Sequence, residues 1–231
     1  MSTILILGSA PMALQTAVWS RKGFDKIVAI NNAYRIRPDW DYAIYPWDFP
    51  SERHPVAGPG QRLVTESEFV PAQNAYGGFV YAGATMAYTA AYWALAQLRP
   101  KVIAVFGCDM HYPAGEETHF YGQGSPDPLR ADITLRDLEA KSARLMILAA
   151  MQGCAMVNLS KGPSRLLFAR GDVASARLPD FDAAKAQAAL AREEELGYVS
   201  ASGRYWEEAE RFDTAELDGL DQMWLAATQV A

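Results

Sequence analysis

Ile4-Leu5-Ile6-Leu7-Gly8-Ser9-Ala10-Pro11 is a short apolar run that passes directly into a turn of small residues. A continuous apolar run of this length, closed by Gly and Pro, reads as a buried strand of a parallel sheet entering a βα turn. In open α/β sheets, ligands bind beyond the carboxyl ends of the strands, and the turn after the first strand is a usual wall of the site. Small residues at Gly8, Ser9, Ala10 and Pro11 would let backbone N–H groups approach a phosphate, with the following helix adding its positive end. The turn holds one glycine rather than the three of Gly-x-Gly-x-x-Gly, which argues against a standard dinucleotide site.

Further runs of the same kind follow at 27–30, 42–45, 102–106 and 155–159. Helical patterns lie between them at 84–98, apolar nearly all round, and at 134–152, closed by Gly153. Thr134 with Asp137 reads as a capping pair for the second helix. Alternating strands and helices predict a Rossmann-like α/β parallel sheet with helices on both faces. Residues 50–78 and 110–131 read as long loops rich in Pro and Gly. From residue 182 the sequence turns rich in Ala and Glu, which predicts a few tail helices. Leu217, Leu220, Trp224 and Leu225 form an apolar stripe there, a docking or self-association face. The expected division is a nucleotide-binding and catalytic domain at 1–178 and an acidic helical extension at 179–231.

The chain has 231 residues, half of them hydrophobic, and a formal net charge of −6. Residues 181–231 carry 11 acidic side chains against 4 basic ones, so the rest of the chain is nearly neutral. That excludes a general nucleic-acid surface but leaves room for a local site for a phosphorylated small molecule. No apolar run approaches the roughly 20 residues that cross a bilayer. The N-terminus lacks the basic and apolar regions of a signal peptide, and Cys108 and Cys154 form no metal or redox motif. A cytoplasmic protein is expected.

The densest chemistry lies after the fourth run, in Gly107-Cys108-Asp109-Met110-His111-Tyr112 and Thr118-His119-Phe120-Tyr121. His119 can take a proton near neutral pH, and the Tyr112 and Tyr121 hydroxyls can donate to a departing phosphate oxygen. Asp109 can bind a hydroxyl, orient a histidine or hold Mg²⁺. Asn31 and Asn32, after the second run, offer both donors and acceptors to a base or ribose, although Asn also suits tight turns. Gly83 and Thr85 open the buried helix, whose first N–H groups could hold an anion. Ser160, Lys161, Gly162 and Ser164 follow the last run and supply hydroxyls and a cation. Asp39-Trp40-Asp41 has the form of a metal-binding pair but precedes a strand, at the wrong end of the sheet. Asp48 is better placed. His54 reads as a surface residue.

The order of Gly8-Ser9-Ala10-Pro11, Asn31-Asn32, Ala82-Gly83-Ala84-Thr85, Gly107-Cys108-Asp109-Met110-His111-Tyr112 and Asn158-Leu159-Ser160 with Ser164 resembles two related groups. One is the bacterial sialyltransferases of glycosyltransferase family 42. The other is the MptE-like family, which includes 6-hydroxymethylpterin diphosphokinase. The resemblance covers roughly residues 3–170. It implies a nucleotide at the strand ends, held by Gly8, Ser9 and Asn31 or Asn32, with Tyr112 at the leaving phosphate. The general-base histidine of the sialyltransferases precedes the long helix, where this chain has none, so His119 or Asp132 takes the role. The expected activity is a metal-independent, nucleotide-sugar-dependent glycosyl transfer, CMP-linked by resemblance, to a hydroxyl acceptor. The alternatives are Mg²⁺-dependent phosphotransfer from ATP, with Asp109 and Asp48 on the metal, and a non-catalytic nucleotide-binding module. Association through the C-terminal helices is a further expectation.

Overall fold

The computed structural model describes residues 2–112, 117–122 and 130–230, so residues 113–116 and 123–129 of the expected 110–131 loop lie outside the described residues. The chain builds one seven-stranded, all-parallel sheet in the order β4-β3-β2-β1-β5-β6-β7. The strands are β1 (Thr3–Leu7), β2 (Lys26–Ile30), β3 (Tyr42–Ile44), β4 (Arg62–Val64), β5 (Val102–Phe106), β6 (Ala155–Asn158) and β7 (Ala169–Arg170). This is the expected Rossmann-like fold. Strand order reverses at β1, which pairs β2 on one side and β5 on the other, with Leu7 beside Ala29 and Phe106.

Each central strand is buried on both faces, so its residues alternate between two cores. Ile4, Ile6, Val28, Ile103 and Val105 face the α-helices. These are α1 (Glu66–Asn74), α2 (Phe79–Ala82), α3 (Met86–Leu98) and α4 (Leu138–Met151). Leu5, Leu7, Ile27, Ala29 and Phe106 face the opposite side, which is covered by 3-10 helices at Pro11–Val18 and Asn31–Arg35 and by Trp19, Phe24 and Phe120. The two faces are therefore unequal, with long helices on one and short turns on the other.

The loop expected at 50–78 is corrected in part. It holds β4 and α1, and Pro71 lies inside that helix. The long helix begins later than its pattern suggests. Asp137, not Thr134, caps α4 by accepting from Ala140 N at 2.9 Å. The Thr134 hydroxyl is already engaged, donating to Asp132 Oδ1 and accepting from Ala84 N.

The tail supplies α5 (Ala183–Leu196) and α6 (Thr214–Ala227), with a 3-10 segment at Tyr205–Arg211 between them. Leu217, Leu220 and Trp224 of the apolar stripe are buried in the same core as the sheet. Two buried ion pairs fasten this packing. Lys141 Nζ donates to Asp221 Oδ1 at 2.7 Å. Arg144 donates twice to the Glu193 carboxylate, each at 2.7 Å, and once to Tyr92. Trp224 Nε1 also donates to Glu193, at 2.8 Å. No helix among the described residues is long and apolar enough to cross a membrane.

Removing one partner of a buried pair leaves the other charge unmatched, which costs about 3–5 kcal/mol. Glu193→Ala should therefore lose about that much stability in urea titration. The double variant Arg144→Met with Glu193→Leu should recover most of the loss. Equal loss in both would mean that packing, not charge, holds the tail.

Candidate functional site

The turn after β1 and the turn after β5 meet backbone to backbone. A Cβ on Gly8 would stand 2.2 Å from the Gly107 oxygen and 2.5 Å from Cys108 Sγ. Gly8 N donates to Phe106 O at 2.8 Å, and Ala10 N donates to Gly107 O at 3.2 Å. Pro11 has no N–H to offer. The expectation that this turn cradles phosphate through its N–H groups is therefore corrected for Gly8 and Ala10. Ser9 is half-exposed, and its carbonyl accepts from Phe120 N at 3.0 Å.

That last bond fixes the segment 117–122 on the first turn. It brings His119 between two tyrosines. The ring centroids of His119 and Tyr121 are 4.9 Å apart, and those of Tyr112 and His119 are 6.3 Å apart, both pairs stacked. His119 Nδ1 lies 2.9 Å from Thr118 Oγ1. Tyr112, His119 and Tyr121 thus gather beside Ser9, at the point where strand order reverses.

Asp109 lies beneath, 7% exposed. Its Oδ1 accepts from Asn158 Nδ2 at 3.0 Å, while Oδ2 is buried without a partner among the described residues. Asn158 is the hub that the residue-type argument missed. Its Nδ2 also donates to Ser164 Oγ, and its Oδ1 accepts from Ser160 N. Ser160 and Ser164 therefore pin the turn after β6, with Ser160 buried. Gly162 lends its carbonyl to Arg170, and Lys161 is exposed. Cys108 is buried, and burial with the neighbouring Asp109 charge pushes its thiol well up, which removes it as a nucleophile.

Asn31 and Asn32 follow β2 on the same edge. Asn31 has φ of 49°, a left-handed conformation that Asn tolerates. Among the described residues neither Oδ1 has a partner although both are buried, and Asn32 is only 1% exposed. Gly83 and Thr85 are structural. Gly83 has φ of 85°, a Cβ there would stand 2.9 Å from the Tyr88 ring, and Thr85 Oγ1 caps α3 by accepting from Tyr88 N. Asp132 is likewise corrected as a candidate base. Its carboxylate accepts from Thr134 N and Oγ1, Arg130 Nε and Tyr205 OH. Burial pushes its pKa up, but these hydrogen bonds and the Arg130 charge outweigh it and hold the group below its usual range. Asp41 pairs with Arg21 and Lys26, and Asp39 with Arg37, at the amino ends of the strands. His54 is exposed and stacks on Phe49.

A second feature was not legible as a site. A cavity of about 470 Å³ opens at the carboxyl ends of β3 and β4. It takes Trp47 and Asp48 after β3, Glu66 and Phe69 from α1, Met86 from α3, and Tyr205 with Trp206 from the tail. These come from four separate parts of the chain. Burial first, then the bond to Asp132, pushes the Tyr205 hydroxyl up to about 12. Among the described residues, no three histidine, cysteine or carboxylate side chains gather as a metal site would need.

Gly8→Ala should cost about 3 kcal/mol, the upper range for overpacking, because the new methyl meets backbone rather than a movable side chain. Thermal unfolding checks this, and loss of nucleotide affinity at unchanged stability would refute the packing role. Asp132→Asn should lose stability at neutral pH. The lowered folded pKa means that the carboxylate stabilises above its unfolded pKa of about 3.9, and that this is lost as pH falls through the folded value. The gap between wild type and variant in urea should therefore shrink as pH falls below about 5 and close as it passes through the lowered folded value.

The chain matches no protein-family profile, no curated protein and no solved structure.

Proposed function

We propose that this chain is a nucleotide-sugar-dependent glycosyltransferase that works without a metal, passing a sugar to a hydroxyl acceptor. The observation that carries the reading is the Tyr112–His119–Tyr121 stack on the turn after β1. Such an edge is where α/β sheets of this kind hold ligands. The likeness to the sialyltransferases makes the donor CMP-linked.

In this reading the acceptor oxygen forms a bond to the anomeric carbon while the bond from that carbon to the phosphate oxygen breaks. His119 receives the acceptor proton. The tautomer that donates Nδ1–H to Thr118 Oγ1 makes Nε2 the basic nitrogen. The Tyr112 and Tyr121 hydroxyls donate to the departing phosphate, whose charge grows as the bond lengthens. Asn31 and Asn32, with buried oxygens that have no partner among the described residues, supply acceptors for base or ribose donors.

One observation favours a second reading. Asp109 Oδ2 is buried and unpartnered, which suits an Mg²⁺-dependent phosphotransfer from ATP. Turnover of a CMP-sugar in EDTA supports the first reading. Strict Mg²⁺ dependence with AMP release supports the second. Calorimetric titration with CMP, UMP, GMP and AMP identifies the base, and no binding to any of them refutes both. His119→Ala should lower turnover by about 10²–10⁴-fold, the usual worth of a general base, with nucleotide affinity retained. Unchanged turnover removes His119 from the mechanism.

A further inference from the structure

The cleft between β3, α1 and the tail is lined by two carboxylates that no cationic side chain among the described residues pairs with. Asp48 and Glu66 both line it, and among the described residues neither makes a hydrogen bond or an ion pair. Asp48 is exposed. Glu66 Oε1 is fully buried without a partner. Its charge reaches Tyr45, whose hydroxyl is pushed up first by burial and then by Glu66. Two arginines also line the cleft, but each already has an acid. Arg130 Nε donates to Asp132 at 3.0 Å, and Arg204 donates to Glu207 at 3.2 Å. The unmatched charge of the cleft is therefore negative.

The walls are aromatic. Phe69 and Tyr205 are buried in them, while Trp47 is 71% exposed and Trp206 is 50% exposed. Tyr205 stacks on Phe79 and meets Trp206 edge to face, so the tail side of the wall is a connected set of rings. Aromatic faces attract cations, and carboxylates bind N⁺–H donors through strong charge-assisted hydrogen bonds. An anion would meet unmatched carboxylates. A purely apolar ligand would leave Glu66 Oε1 buried and unpaired, at a real desolvation cost.

We propose that this cleft binds a small molecule carrying a protonated primary amine, with the ammonium held by Glu66 and Asp48 and the carbon skeleton against Trp47 and Trp206. The site is distinct from the turn after β1, and its occupancy does not depend on the transfer reaction.

The test compares n-pentylamine with n-pentanol, which has nearly the same shape but no charge, on the full chain at neutral pH by calorimetry. Pentylamine should bind saturably, and pentanol should not bind over the same range. Glu66→Gln should weaken pentylamine binding by about tenfold or more, since it removes a charge-assisted hydrogen bond. Asp48→Asn, at an exposed position, provides the same test should Glu66→Gln unfold, and Trp206→Ala should weaken binding as well. Equal binding of the alcohol, absence of saturation with the amine, or unchanged amine affinity in both carboxylate variants would overturn the proposal. Titration of the same variants with nucleotides reads the other site separately, and retained nucleotide affinity with lost amine affinity is the expected pattern.

Discussion

The structure turns on the contact between Gly8 and Gly107. Neither position has room for a side chain, since a Cβ on Gly107 would lie 2.9 Å from Ala13 Cβ and one on Gly8 would strike the Gly107 carbonyl. Such closeness lets the two central strands run on, hydrogen-bonded, past their last paired residues. The two turns at the reversal of strand order are thereby held in direct backbone contact. Everything on this edge follows from it. The half-exposed Ser9 accepts from Phe120 through its carbonyl, and that bond places His119 between Tyr112 and Tyr121.

A second constraint organises the cleft at the carboxyl ends of β3 and β4. The acidic tail is not a uniformly charged surface, because two of its acids are buried partners of α4. Glu193 takes Arg144, and Asp221 takes Lys141. Buried pairs of this kind add little net stability over well-packed apolar residues, but mispairing them is costly, so they select one arrangement of the tail. The chain between α5 and α6 is thereby carried to Tyr205 and Trp206, which close the cleft over Asp48 and Glu66.

The central strands are legible in the sequence because a strand buried on both faces must be continuously apolar, and Ile4–Leu7 and Val102–Phe106 are. Strand β4 is not legible, since it lies at the sheet edge and is only three residues long, with Arg62 exposed and Leu63 half-buried. Helix α1 hides behind Pro71, which normally ends a helical pattern. The Tyr112, His119 and Tyr121 cluster could be anticipated because its members are near in sequence. The hub at Asn158 could not be assigned a role, because its side chain reads as a strand terminus until Asp109, Ser160 and Ser164 are brought around it. The amine cleft is assembled from distant segments, and no local pattern announces it.

The balance of donors and acceptors at the reversal point bears on how a nucleotide would be gripped in the proposed reaction. Gly8 and Ala10 give their N–H groups to the neighbouring turn, and Pro11 has none. The oxygens left over belong to Asn31, Asn32 and Asp109. A carboxylate such as Asp109 can only accept hydrogen bonds, so the edge complements hydroxyl and amino groups of a ligand better than its phosphates. Donors to a leaving phosphate would then come from side chains, chiefly the Tyr112 and Tyr121 hydroxyls. That arrangement differs from a phosphate loop in one physical respect. Hydroxyls on a separate segment can be aimed at the bridging oxygen, whose charge grows only as the bond breaks.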